Sequence, residues 1–117
     1  MRFVLPFVLA LPMLAQSPQK TTDVMVMLTA KPGIAREQIM KVMPEEVRAT
    51  VKLYLDGKIR QWFSRADGRG VMFILNAKDV AEAKAAMESL PLAKENLMDY
   101  EYTPLAPLTP LNALLKP

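Results

Sequence analysis

The chain contains neither cysteine nor histidine, and each absence closes off chemistry. Without cysteine there is no disulfide, no thiolate nucleophile and no thiol to carry a lipid. Without histidine there is no imidazole to activate Ser64 or Ser89 in a hydrolase triad. A haem would lack both a histidine and a thiolate ligand. Zinc would need carboxylates alone, and Glu45, Glu46, Asp99 and Glu101 are too scattered to form a ligand set. No cofactor or metal is therefore expected. Acid–base chemistry by Glu, Asp, Lys or Tyr remains open.

An excess of one charge is missing too. The formal net charge is only +3, and it falls by one if the segment carrying Arg2 is removed. That is no polyanion-binding balance. Arg69–Ile74 (RGVMFI) partly matches the third-strand signature of RNA-recognition domains. However, Val71 and Asn76 stand at aromatic positions of that signature, and the first strand has no stacking aromatic at all. No nucleic-acid partner is expected.

Long hydrophobic runs are also lacking. The apolar stretch Phe3–Leu14 is broken by Pro6 and Pro12 and is shorter than the ~20 residues of a membrane-spanning helix. It follows the basic Arg2 and closes on Ala15, so residues 1–15 read as a secretory signal cleaved after Ala15. The mature protein is then expected in a bacterial periplasm or outside the cell, with no stable membrane span. Packing alone has to hold such a disulfide-free exported chain together.

What is present is a globular composition, 51% hydrophobic and 23% charged, in a chain of 117 residues that suffices for one core. Residues 16–22 form a polar spacer, 23–103 the folded domain, and 104–117 a Pro/Leu-rich tail unsuited to regular structure. Asp23–Thr29 (DVMVMLT) and Gly70–Leu75 (GVMFIL) are apolar strands without polar alternation, so both their faces should be hidden. Ile59–Arg65 and Leu97–Thr103 carry charges and read as edge strands. Ala66-Asp67-Gly68-Arg69 makes a hairpin turn. Ile34–Met43 reads as a short helix, and Pro44 as the first residue of a second one running to Asp56. That second helix should turn Val47, Val51, Tyr54 and Leu55 inward. Lys78–Leu90 is an alanine-rich helix, with Val80, Ala83, Ala86 or Met87, and Leu90 inward, that Leu90-Pro91-Leu92 ends.

This order is α+β: a ferredoxin-like βαββαβ unit with a four-stranded antiparallel sheet. Its helices cover one sheet face. The other would bare either Met25, Met27, Met72 and Ile74 or Val24, Val26, Val71 and Phe73. An apolar face of that size marks a contact surface, here for a second copy, giving a homodimer or higher homo-oligomer with a cavity between sheets.

Three stretches are similar to the muconolactone isomerase family of dimeric α+β barrels. They are Leu53–Phe63 (LYLDGKIRQWF), the hairpin and third strand Gly68–Asn76, and Leu90-Pro91-Leu92 followed by the fourth strand and Tyr102–Ala106 (YTPLA). Together they reach roughly from Glu45 to Ala106. The resemblance implies a dimeric barrel. It also implies an enzyme that shifts a double bond within an unsaturated lactone, removing a proton beside a carbonyl and returning one elsewhere. Family members carry an aromatic-Arg pair after Gly-Lys, of which Ile59-Arg60 keeps the arginine. They often carry histidines in and after the second strand, and this chain has none.

The candidate residues each have a plain reading beside the functional one. Glu46 is a base if a dry pocket raises its pKa, or simply a favourable charge in a first helical turn. Arg60 clamps an acidic group of the ligand, or guards an edge strand. Trp62, expected on the same strand face as Arg60, lines the pocket or caps the barrel. Tyr100 and Tyr102 contact ligand or pack the sheet. Met72, like Met25 and Met27, shapes an apolar pocket or fills space. Two functional readings stay open: an exported isomerase-like protein acting on a small unsaturated lactone or related carbonyl compound, and a non-catalytic exported dimer that binds a ligand or partner.

Overall fold

The computed structural model describes residues 20–108. The signal reading and most of the tail lie outside these residues. The elements are β1 (Asp23–Ala30), α1 (Arg36–Leu55), β2 (Ile59–Ser64), β3 (Gly70–Leu75), α2 (Val80–Glu88), α3 (Pro91–Lys94) and β4 (Met98–Leu105). The strands form one four-stranded antiparallel sheet in the order β2-β3-β1-β4. The unalternated apolar strands are therefore the central pair and the charged ones the edges. This is the ferredoxin-like α+β arrangement expected from the order of elements.

Alternation along the central strands decides the layers. Val24, Val26 and Leu28 of β1 and Phe73 and Leu75 of β3 point under the helices and are buried. Each such side chain taken out of water contributes about 1.5–3 kcal/mol. From α2, Ala83 and Met87 complete this core, together with Leu90 and Leu92 beyond it. The Asp79 carboxylate fixes the start of α2 by accepting the Glu82 N–H at 2.8 Å. On the opposite sheet face lie Met25, Met27, Met72 and Ile74, half-buried against one another. This is the methionine alternative of the two expected for the open face.

Three local expectations are corrected. Pro44 does not begin a helix but sits within α1, a continuous helix of 20 residues. Pro44 has no N–H to offer the Met40 carbonyl, and both residues are exposed. The stripe Val47, Val51, Tyr54 and Leu55 is not inward: these residues are 50%, 38%, 41% and 76% exposed. Periodicity alone does not say which of two apolar stripes meets the sheet. The face that packs instead carries Ile39, Val42, Met43, Ala49 and Leu53. Third, Pro91 opens the short helix α3 instead of ending the previous one, and β4 runs through Pro104 to Leu105, into the stretch read as tail. Proline is tolerated there because β4 is an edge strand.

Gly70 is required by close approach. A Cβ at this position would stand 1.9 Å from the Leu28 carbonyl oxygen. Only glycine lets β3 enter the ladder beside β1 at that point.

Candidate functional site

α1 lies over β2, whereas α2 packs on β1 and β4. Edge strand β2 is thinly covered: beyond Ile59, all its residues are exposed. Between α1 and the hairpin end of β2 and β3 a cleft of about 780 Å³ remains, open to solvent. Leu28, Val71 and Phe73 floor it, and α1 walls it with Met43, Glu46 and Val47. Trp62 closes the β2 side and stacks on Tyr54 of α1, with ring centroids 4.4 Å apart and planes 8° from parallel. That stack fixes the indole where it borders the cleft.

Glu46 is the chemically unusual group of the cleft. It stands in the middle of α1, only 5% exposed, and not in a first helical turn as its place after Pro44 suggested. One carboxylate oxygen accepts the Leu92 N–H of α3 at 2.9 Å. The Thr50 hydroxyl donates to the Glu46 backbone carbonyl at 2.7 Å. Burial pushes the Glu46 carboxyl above its ordinary value; the Leu92 N–H and the Thr50 hydroxyl pull it part of the way back. The result is a carboxyl that holds its proton longer than a solvated one and faces an apolar space. It also gives α3 a partner for an otherwise free amide, a structural service in its own right.

Cationic groups border the cleft as well. Arg36 begins α1, and Arg65 and Arg69 flank the hairpin turn. Arg65 is tied to Asp67 at 2.7 Å. Among the described residues neither Arg36 nor Arg69 takes part in an ion pair.

The remaining candidates are placed elsewhere. A β-bulge between Ile59 and Gln61 breaks the alternation of β2, so Arg60 and Trp62 do not serve one pocket. Arg60 stands at the far end of the sheet, bonded to the Asp23 carboxylate and to Asn76 Oδ1 at 3.1 Å. It does not line the cleft. Met72 lies on the open sheet face, paired with Met27. Tyr100 and Tyr102 lie on the helix side of β4, opposite Leu28 and Val26, with their rings stacked 6.4 Å apart. The Tyr100 hydroxyl is buried without a hydrogen-bond partner. Burial, then the nearby Glu46 and Tyr102, push its pKa well above the usual phenol range. Burial, and more weakly Glu88, also raise Tyr102.

Glu46 and Trp62 are thus the sequence candidates that share the cleft. Arg36, Arg69 and Val47 were missed. A pattern that puts Val47 inward hides the cleft wall, and nothing local marks Arg36 or Arg69 as neighbours. Among the described residues no group of three or more carboxylates is arranged to hold a metal ion.

No family model matches the chain, and no curated protein matches it. Among solved structures, a crystal structure of muconolactone isomerase superposes with a TM-score of 0.59 at 18% identity, covering 74% of this chain and 92% of that one. At that identity the likeness establishes the shared fold.

Proposed function

We propose that this chain is an exported muconolactone isomerase-like protein whose α1–β2 cleft binds an unsaturated lactone or related carbonyl compound and moves its double bond. The observation that carries the reading is the buried carboxyl of Glu46, held at one oxygen by Leu92 and bordering an apolar cleft. In this reading Glu46, once ionised, takes the proton from the carbon next to the carbonyl. The electron pair shifts the double bond, and the same carboxyl returns the proton at the far carbon. A base with a raised pKa suits both halves, because it takes a proton more readily than a solvated carboxylate does and can still return it. Arg36 and Arg69 replace Arg60 as the groups that orient an acidic substituent. Trp62 shields the reacting end from water.

Two further parts of the reading concern context. The basic, apolar opening of the chain supports export. The strip Met25, Met27, Met72 and Ile74 supports pairing of two sheets face to face, since an apolar surface of that kind is sheltered by a second copy.

The test is a panel of unsaturated lactone acids followed by the ultraviolet change that accompanies double-bond migration. Turnover by the wild-type protein, reduced about 10²–10⁴-fold in Glu46→Gln, is the expected result. Equal rates in both proteins would remove Glu46 from the chemistry. Binding without any turnover would leave the non-catalytic reading, in which Glu46 only holds α3.

A further inference from the structure

We propose that the natural ligand of the cleft is an amphiphilic anion: an acidic group on an apolar body larger than a one-ring lactone, such as an acyl chain. The inference rests on the premise above that this cleft is the ligand site, and it names the class of molecule that fits there.

Size is the first argument. A cleft of about 780 Å³ falls in the upper part of the ~300–1,000 Å³ range of sites for drug-sized molecules. It corresponds to roughly 25 waters at about 30 Å³ each. A one-ring lactone acid would leave much of Met40, Met43, Val47 and Val51 facing water. Those residues line the cleft, and Met40, Val47 and Val51 are among the exposed large apolar side chains of the chain. A longer apolar body removes that surface from water, at about fourfold tighter binding for each further buried CH₂. The methionines adapt to a flexible chain better than branched residues do.

Charge is the second argument. Arg36 and Arg69 reach the same cleft from two different elements, α1 and the hairpin, and neither forms an ion pair among the described residues, although the Asp67 carboxylate lies close to Arg69. A guanidinium fork suits a carboxylate or a comparable oxyanion. Burial raises the pKa of Glu46, the acid inside the cleft, and so disfavours its charged form. The cleft is therefore cationic at the rim and apolar within, the complement of an anionic amphiphile.

Trp62 supplies the readout, because it is the chain's one tryptophan and borders the cleft. The full chain is titrated with octanoate, decanoate and dodecanoate below their micelle concentrations, with dodecyltrimethylammonium and a one-ring lactone acid as controls. The expected result is a saturable change in Trp62 emission that tightens about fourfold per added CH₂. The cationic control should bind far more weakly. Arg36→Gln and Arg69→Gln should each weaken dodecanoate by about tenfold, the size of a lost charge-assisted hydrogen bond. Equal binding of the cationic and anionic twelve-carbon probes would overturn the proposal. So would a lactone acid that binds as tightly as dodecanoate. A Trp62 signal that responds to dodecanoate only after Leu114→Glu and Leu115→Glu would assign the cleft to the chain's own tail, and would overturn it too. Loss of dodecanoate binding upon dimerisation would give the cleft to a second copy, with the same consequence. Lactone turnover without dodecanoate binding sinks this inference and leaves the isomerase reading. Dodecanoate binding without turnover does the reverse.

Discussion

Replacing Glu46 by Gln should make the protein more stable at neutral pH and no more stable in acid. Glutamine keeps an oxygen to accept the Leu92 N–H that Glu46 holds at 2.9 Å, so the contact survives and only the ionisable proton is removed. The Glu46 carboxyl is raised above its ordinary 4.5 chiefly by burial. Below that ordinary value, folded and unfolded chains both carry the proton, and wild type and variant should agree. As pH rises, the unfolded chain releases its proton first. The folded state then binds more protons than the unfolded one, and wild-type stability falls until the folded-state pKa is passed. The variant lacks this loss. Its advantage grows through that window and levels off at about 1.4 kcal/mol for each unit by which the carboxyl is raised. For a domain of this size each 1 kcal/mol displaces Tm by roughly 4–8 °C. Urea unfolding followed by circular dichroism, in steps from about pH 4 to pH 8, measures the difference directly. Other titrating groups cancel because they are common to both proteins. Parallel curves, or a variant that loses ground as pH rises, would refute a buried carboxyl at the cleft.

Three other substitutions test the scaffold. Gly70→Ala must push β3 away from the Leu28 carbonyl, 1.9 Å from the new Cβ, and should cost on the order of 3 kcal/mol in urea melts; an unchanged midpoint would contradict the close approach. Met72→Glu, on the open sheet face, should convert a dimer into a folded monomer in sizing chromatography with light scattering. Val71→Glu, which packs against the core, should instead lower stability. Two variants that both remain dimeric and stable would defeat the paired-sheet reading. Asp79→Ala removes the carboxylate that accepts the Glu82 N–H at 2.8 Å and should cost about 1 kcal/mol by thermal melting; no loss would mean that α2 starts elsewhere.

The candidate site was only partly legible in the sequence. Glu46 was visible as an acid, but its environment was misread because Pro44 looked like a helix start. Arg60 was visible as an isolated arginine on a strand, yet the bulge at Ile59 and Gln61 sends its side chain to Asp23 and Asn76. A bulge has no reliable local signature, since it answers to the partner strand. Arg36 and Arg69 stand on separate elements, and only the folding of α1 over the hairpin end of the sheet brings both to one cleft.

The amino-acid order alone determined which segments are strands, which pair is central and how the chain winds, because those properties follow from short-range periodicity and turn chemistry. Tertiary structure decided which face of the sheet stays open, that α1 runs unbroken through Pro44, and that Glu46 is buried. Those outcomes depend on which surfaces meet across the whole chain. An isolated helix is equally content with Val47 or Met43 turned inward until a sheet is there to choose between them.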